Sequence, residues 1–494
     1  MNFADEQDSL LAPIWVIGFT GHRHLQNPEK VGSLLQNLVN SLRTEVSGKL
    51  IGYSSMAIGA DTLFAEACLS LNIPWRASLP RPEDDFKSDF DPPDWEKAQG
   101  LLRQAIGVKT FPSTKDHDLG YLECGLATVE ESDLMIAVWD RAPARGTGGT
   151  AQIVAHARAL AKPLILVHPN SLDIQRECFS PELFCDEEMN YLNDVVNGDK
   201  GPRDSSARPE ERVRQFFQRI DRQAARIAPR VRGWVGASVI MNALAAILIA
   251  ASIAFAITSN VFGTFVFVLM VAALVSVVLI KRKEVHRKWI RCRVAAEICR
   301  SALATWPLGD FPTPFWFRQL EGFTRLAKSV RLLHLSDGGK RTLNLDDWRQ
   351  EYLKIRIDHQ VNYFRRRRRL LAAVLAILIG SFWMFSALGI ARTIVSTLFL
   401  EQESSPWVLH AFQSFLPIAL PLAAGCVLSL VSIFDLNRRL ARCKKMETLL
   451  QTTRGQIEKC ENLPSLLHAV ENAENVFAAE VFEWFTLFRY PRFN

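Results

Sequence analysis

Two hydrophobic rhythms divide the chain. Up to about Arg232, short apolar runs end in turns rich in glycine and small polar residues, and amphipathic stretches follow them. The runs Ile14 to Gly21, Lys49 to Ser54, Pro74 to Leu79, Asp133 to Trp139 and Pro163 to His168 predict buried strands. Helical patterns run from about Pro28 to Ser47, from Thr62 to Leu71, and onward from Thr150. Strand and helix patterns that alternate in this way predict a parallel sheet covered by helices. This α/β domain is expected over residues 1–175, with a linker over 176–210.

Beyond Arg232 the rhythm changes to long uncharged blocks set between basic stretches. Trp234 to Ile257, Val261 to Ile280, Leu370 to Ile390 and Leu416 to Phe434 carry no charged residue, and Asn242 is among the few polar ones. Roughly 20 apolar residues cross the hydrocarbon of a bilayer, so these blocks predict an all-α membrane region of four transmembrane helices. Thr258, Ser259 and Asn260 leave room for only a tight turn between the first two, whereas the loop of the second pair carries Arg392, Glu401 and Glu403. The expected division is a two-span module over 211–305 (spans about 234–257 and 261–280), a cytoplasmic connector over 306–345, and a second two-span module over 346–494 (spans about 370–390 and 416–434). Any single run could be a buried helix of a soluble protein. Four runs with matching flanks argue against that.

The flanks are basic on one side. Arg226, Arg230 and Arg232 precede the first span, Lys281-Arg282-Lys283 follow the second, Arg365 to Arg369 lead into the third, and Arg438, Arg439, Arg442, Lys444 and Lys445 follow the fourth. Lys and Arg mark the cytoplasmic ends of spans, which predicts a multi-pass protein of the inner (cell) membrane with both termini cytoplasmic. A net charge of +6 does not by itself imply nucleic acid, and its placement against the spans favours lipid headgroups. The five-arginine run leaves nucleic-acid binding as its competing reading, although no direct nucleic-acid partner is expected. Nine scattered cysteines without close metal-ligand spacing suggest reduced thiols, and no metal site. The N-terminal stretch lacks a basic region followed by an apolar core, so no cleaved signal peptide is expected.

In open parallel sheets ligands bind at the carboxyl ends of the strands. Three small-residue loops fall at that edge: Gly18 to Arg23, Ser54 to Asp61, and Gly146 to Gln152. Small residues let backbone amides approach a phosphate, and a helix N-terminus supplies a favourable field. The expected ligand-binding residues are Gly18, Thr20, Gly21, His22 and Arg23, then Ser54, Ser55, Gly59, Ala60 and Asp61, then Asp140, Gly146, Gly148, Gly149, Thr150 and Gln152. Arg23 could pair a phosphate, and Asp61 could accept ribose hydroxyls or cap its helix. His22 could touch ligand or satisfy its own turn. A Gly-Gly-Thr that opens a helix is also an ordinary cap.

Gly18-Phe19-Thr20-Gly21-His22-Arg23, Gly59-Ala60-Asp61, and Ala137-Val138-Trp139-Asp140 with Arg145-Gly146-Thr147-Gly148-Gly149-Thr150 together resemble the SLOG superfamily over about residues 12 to 170. That superfamily includes the DNA-processing protein DprA and the cytokinin-activating LOG enzymes. The resemblance implies a Rossmann-like fold and a nucleotide or nucleotide-derived ligand, with no required cofactor. LOG phosphoribohydrolases carry a catalytic Glu after their glycine-rich motif, where this chain has Gln152. Gln cannot act as a carboxylate acid or base, so no catalytic residue is assigned, although Asp61, Glu66, Glu123 and Asp140 remain nearby acids.

Trp289, Arg293 and Glu297 lie four apart, as do Tyr352, Arg356 and Gln360, with Tyr363 near, while Glu474, Glu480 and Trp484 follow the last span. Ordinary salt bridges and packed aromatics on juxtamembrane helices would give such patterns. These segments also resemble SLATT domains, two-span modules found with SLOG domains. Tyr352 to Phe364, the later spans and Glu471 to Trp484 are similar to one such module, and residues 211 to 305 to a more divergent copy. The resemblance implies a homo-oligomeric membrane effector of bacterial conflict systems, which opens pores or disrupts the bilayer when a nucleotide second messenger arrives. A membrane-tethered nucleotide hydrolase or phosphoribohydrolase is the alternative. Transport is disfavoured, since the spans show no acids or paired Pro/Gly breaks.

Overall fold

A computed structural model describes residues 10–111, 117–143, 146–180, 183–198, 207–282, 285–308, 311–320, 322–337, 344–398 and 405–489. Arg145, Lys283, Glu401 and Glu403 lie outside this set. So do the side chains of Arg230, Arg232, Trp234, Lys281, Arg282 and Trp484. The chain divides into two compact units, one of residues 1–218 with 298–341 and one of 219–297 with 342–494.

The first unit is built on a seven-stranded sheet. Its strands are β1 (Ile14–Gly21), β2 (Lys49–Ser55), β3 (Trp75–Leu79), β4 (Gly107–Thr110), β5 (Leu134–Val138), β6 (Leu164–Val167) and β7 (Ile174–Glu177), in the order β4-β3-β2-β1-β5-β6-β7. The first six are parallel and β7 is antiparallel to β6. The sheet is therefore mixed, with a parallel majority, rather than parallel throughout. β1, β3, β5 and β6 are buried along nearly their whole length, which explains their continuous apolar runs: both faces are covered. Helices α1 (Pro28–Glu45), α2 (Ala60–Ser70), α3 (Pro92–Leu102), α4 (His117–Glu131) and α5 (Thr150–Ala159) connect the strands. Phe19 and Phe64 stack with centroids 4.5 Å apart where α2 covers the sheet.

Two strands have no counterpart in the sequence pattern. β4 alternates between half-buried and exposed residues over only four positions, and β7 reads Ile-Gln-Arg-Glu with three exposed positions. Such short, charged strands suit sheet edges, where polar residues discourage pairing with another chain. The 176–210 stretch expected as a linker holds the end of β7, helix α6 (Glu187–Asn197) and the start of a long helix at Pro209. Within 306–345, α7 (Thr324–Ser336) packs on the sheet's amino end. There Asp133 takes ion pairs from Arg325 at 2.7 Å and Lys328 at 2.9 Å. Arg325 also lies 3.6 Å over the Trp15 ring, and Ser329 accepts the Ile14 amide.

The second unit is helical. Among the described residues, three helices are long and apolar enough to cross a membrane: Gly236–Ala254 at the end of helix Pro209–Ala254, and segments within Leu345–Leu398 and Pro406–Glu458. The expected second span lies in helix Asn260–Arg282, whose described apolar part, Asn260–Ser276, is shorter than the other three. Leu370, Ile377, Trp383 and Phe267 are each about two-thirds exposed, as side chains that face lipid must be in a bare protein. The hairpins touch one another through Phe255, whose ring lies 6.0 Å from Trp407 and 5.8 Å from Phe415. Pro421 stands inside the helix Leu416–Ile433 without ending it. A single π-turn, His410–Phe415, precedes that helix, so the last span is less regular than its composition suggests.

Candidate functional site

Strand order places a switch point beside β1, because β2 lies on one side of it and β5 on the other. Crossovers leave in opposite directions from such a pair, and the diverging loops open a crevice at the carboxyl edge. The first loop of the predicted set leaves β1 at this point. The His22 amide donates to Val138 O at 3.2 Å, and the Ala60 amide to His22 O at 3.1 Å. One residue thus ties β1 to β5 and to the start of α2. His22 Nε2 also accepts the Asp140 amide at 3.1 Å and lies 3.0 Å from Asp140 Oδ1, which accepts the Ala142 amide. His22 satisfies its turn and clips two of the predicted loops together. Gly21 is required for a nearby reason: a Cβ there would stand 2.4 Å from the Ala60 Cβ.

In the second loop Ser55 donates to Asp61 Oδ1 at 3.1 Å. Asp61 sits in the first turn of α2, only 2 % exposed. Burial holds its carboxyl well above the ordinary range, against the Ser55 hydroxyl and the charge of Arg23. The hydroxyl of Ser54 is buried without a hydrogen-bond partner. In the third loop Gly148 has φ +78°, and a Cβ on it would come within 2.7 Å of the Leu122 amide. Its own amide donates to Gln152 Oε1 at 2.9 Å. Gln152 therefore braces the glycine turn from within the next helix, and Thr150 is buried as the first residue of α5. Gly146, exposed, accepts the Gly149 amide. Gly18 and Thr20 lie in β1 itself.

Two arginines complete the edge. The exposed Arg23 guanidinium lies 4.5 Å over the ring of Tyr121, and the backbone of Tyr121 abuts Gly148. The Tyr121 hydroxyl bonds Asp89, and Asp89 is also paired with Arg81. Arg81, just past β3, is 2 % exposed, yet its Nε and one terminal nitrogen have no hydrogen-bond partner. A buried cation with unused donors invites an anion or water. Tyr121, Asp89 and Arg81 escape sequence reading because Tyr121 comes from α4, 32 residues beyond Asp89 in the connection after β3. The position of Arg81 after a strand was the one available signal. Beside Arg23, between the starts of α1, α2 and α3, lies a cavity of about 310 Å³. No trio of His, Cys, Asp or Glu suited to a metal ion occurs among the described residues.

In the helical unit, a π-turn at Leu353–Asp358 presents Arg356. Its guanidinium binds Glu474 through Nε at 2.9 Å and a terminal nitrogen at 2.7 Å, and Glu297 at 2.8 Å. The Tyr352 hydroxyl adds a bond to Glu474 at 2.7 Å, and the Phe477 ring lies 4.1 Å from the guanidinium. Arg356, Glu297 and Glu474 are 3 %, 3 % and 0 % exposed. Of the spaced residues noted in the sequence, Glu297, Tyr352, Arg356 and Glu474 meet in one buried cluster drawn from helices beside both pairs of apolar segments. Flanking carboxylates hold the Arg356 charge in place despite burial. Arg365 and Arg368, two of the five consecutive arginines, pair with Glu447 at 3.0 and 2.8 Å. Arg392 donates to Phe412 O at 3.0 Å, within the π-turn of the neighbouring helix.

Comparison with known proteins adds one match. Residues 215–315 are similar to SLATT_3, the SMODS and SLOG-associating 2TM effector domain 3. The match covers the first hairpin and the helix after it, the copy that looked the more divergent. The chain matches no curated protein. The apolar helices and this match point to a membrane protein with a segment similar to a two-span domain.

Proposed function

We propose that the chain is a nucleotide-sensing membrane effector of a conflict system. Its sheet is a SLOG-type domain whose carboxyl edge binds a nucleotide-derived second messenger, and four spans in two SLATT-type hairpins are the output. The observation that carries this reading is the meeting, at the β1–β5 switch point, of Arg23, the Gly148 turn and the buried Asp61. They share a chain with a segment similar to a domain named for its association with SLOG. Bound ligand shifts the effector only by favouring its active state over its resting one. Four spans line no wide path alone, so homo-oligomers in the inner membrane, with both termini cytoplasmic, form the conducting or disruptive state.

The test is dye release from liposomes that hold the purified protein, with a nucleotide panel added. Release with one nucleotide, abolished by Arg23→Ala and by Gly149→Asp, is expected. The competing reading, a membrane-tethered hydrolase, draws on the buried Asp61 carboxyl. Turnover of that nucleotide without dye release would establish it instead.

A further inference from the structure

We infer that the basic end of the second pair of apolar helices is a binding site for one anionic phospholipid, whose phosphate lies between Arg367 and Arg439 and whose acyl chain follows an exposed face of the helix His359–Leu398. The inference rests on the helical unit alone and is independent of what the sheet edge binds.

The five consecutive arginines do not act alike. Arg365 and Arg368 both donate to Glu447, at 3.0 and 2.8 Å, so their charge is met within the protein. At about 3.6 residues per turn, Arg367 turns away from that side of the helix. It donates instead to the Tyr363 hydroxyl at 3.0 Å, and its guanidinium lies 5.7 Å from the Tyr363 ring. Leu370, Val374 and Ile377 continue the same face at steps of three or four residues, and all three are exposed, as is Tyr363. One face therefore presents a phenol, a cation and then an apolar stripe. That is the order in which a lipid presents its interface, its phosphate and its chain.

The second cation comes from the neighbouring helix. The last apolar helix ends at Ile433, and Arg439 stands in the first turn of the next, Leu436–Glu458. It is half-buried, and it donates to Phe434 O at 3.5 Å. Burial, and after it the positive charge of Arg367, disfavours the charged form of Arg439, and Asp435 offsets only part of this. Among the described residues neither Arg367 nor Arg439 has a carboxylate partner of the kind that Glu447 gives to Arg365 and Arg368. Two like charges held near each other gain most from one anion that touches both. The free oxygens of a phosphodiester can accept from both guanidiniums. A zwitterionic headgroup brings its own cation, which both would repel. A free phosphate would meet the charges and leave the apolar stripe uncovered, whereas a lipid covers both.

The experiment is native mass spectrometry of the full chain, purified in detergent and supplied with phosphatidylglycerol or phosphatidylcholine of matched chains. One phosphatidylglycerol per chain is expected to be retained, with a preference of at least about tenfold over phosphatidylcholine. Arg367→Gln and Arg439→Gln should each weaken its retention about fivefold. Arg366→Gln combined with Arg369→Gln removes two charges from exposed positions of the same run and should leave retention nearly unchanged. Melting temperatures equal to the parent's in phosphatidylcholine show that the variants fold. Long-chain phosphatidylglycerol should be held more tightly than its short-chain form, and inorganic phosphate in large excess should not displace it. Equal retention of the two headgroups would overturn the site, as would an equal loss in the Arg366 and Arg369 control, which would reduce it to general surface charge. Displacement by inorganic phosphate, or equal affinity for short and long chains, would make it a free-anion site and overturn the lipid.

Discussion

Asp61 is a fully buried carboxyl in the sheet unit. Its burial raises the carboxyl pKa, so folding is penalised as pH rises above the unfolded value near 3.8, and the penalty grows until the folded value is passed. Asp61→Asn keeps an acceptor for Ser55 and removes that penalty. The variant should therefore melt at a higher temperature than the parent, with a larger gap at pH 8 than at pH 5. An equal gap at both would show the carboxyl to be unperturbed. Glu131 is the opposite case. Burial raises its pKa, but the charges of Arg76, Arg331 and Lys109 outweigh that and bring it down to about 2. It contributes stability above pH 4.5 that is lost as pH falls toward 2, about 3 kcal/mol in all. Glu131→Gln should remove this stability at neutral pH and flatten the acid limb of the melting curve. None of these environments was legible in the sequence: Asp61 stood out for its place after a glycine, and nothing marked Glu131 at all.

At the scale of elements, legibility followed burial. β1, β2, β3, β5 and β6 announced themselves because each needs apolar residues on both faces, whereas β4 and β7 are short edges whose residues meet solvent. The glycine turns were visible because close approach admits no Cβ, at Gly21 and Gly148 alike. The clip between His22 and Asp140 was not, since 118 residues separate its partners. The same holds for the Arg356 cluster: the four-residue spacings were plain, but the joining of Glu297 to Glu474 through one guanidinium depends on tertiary structure and on the π-turn that presents it. Removal of one partner from a buried ion cluster strands the others, at a cost of about 3–5 kcal/mol. Arg356→Ala should accordingly lower the melting temperature of the detergent-purified protein sharply. A combined Arg356→Met, Glu297→Gln, Glu474→Gln variant should recover most of the loss. If the single and combined variants melt alike, the cluster is not a coupled unit.

For the whole molecule, the decisive asymmetry is the one-sided basic flanking of the apolar blocks, which is plain in the order of residues along the chain. Orientation is open to direct measurement. In right-side-out cells, a cysteine introduced by Asn260→Cys, at the turn between the first two apolar helices, should react with a membrane-impermeant maleimide in a background stripped of the native cysteines. A cysteine at Lys445 should react only after lysis. The reverse pattern would place the proposed nucleotide-binding edge outside the cell and defeat the sensor reading. How many helices cross was only partly legible, because a run of twenty apolar residues states capacity and not use.

The Arg356 cluster also sets an order of events in synthesis. Glu297 is made before the guanidinium that binds it, and Glu474 is made more than a hundred residues after that guanidinium, once the last apolar block has been synthesised. Until then Arg356 has one of its two carboxylates. The helix made last, Leu463–Arg489, thus supplies the carboxylate that completes the cluster.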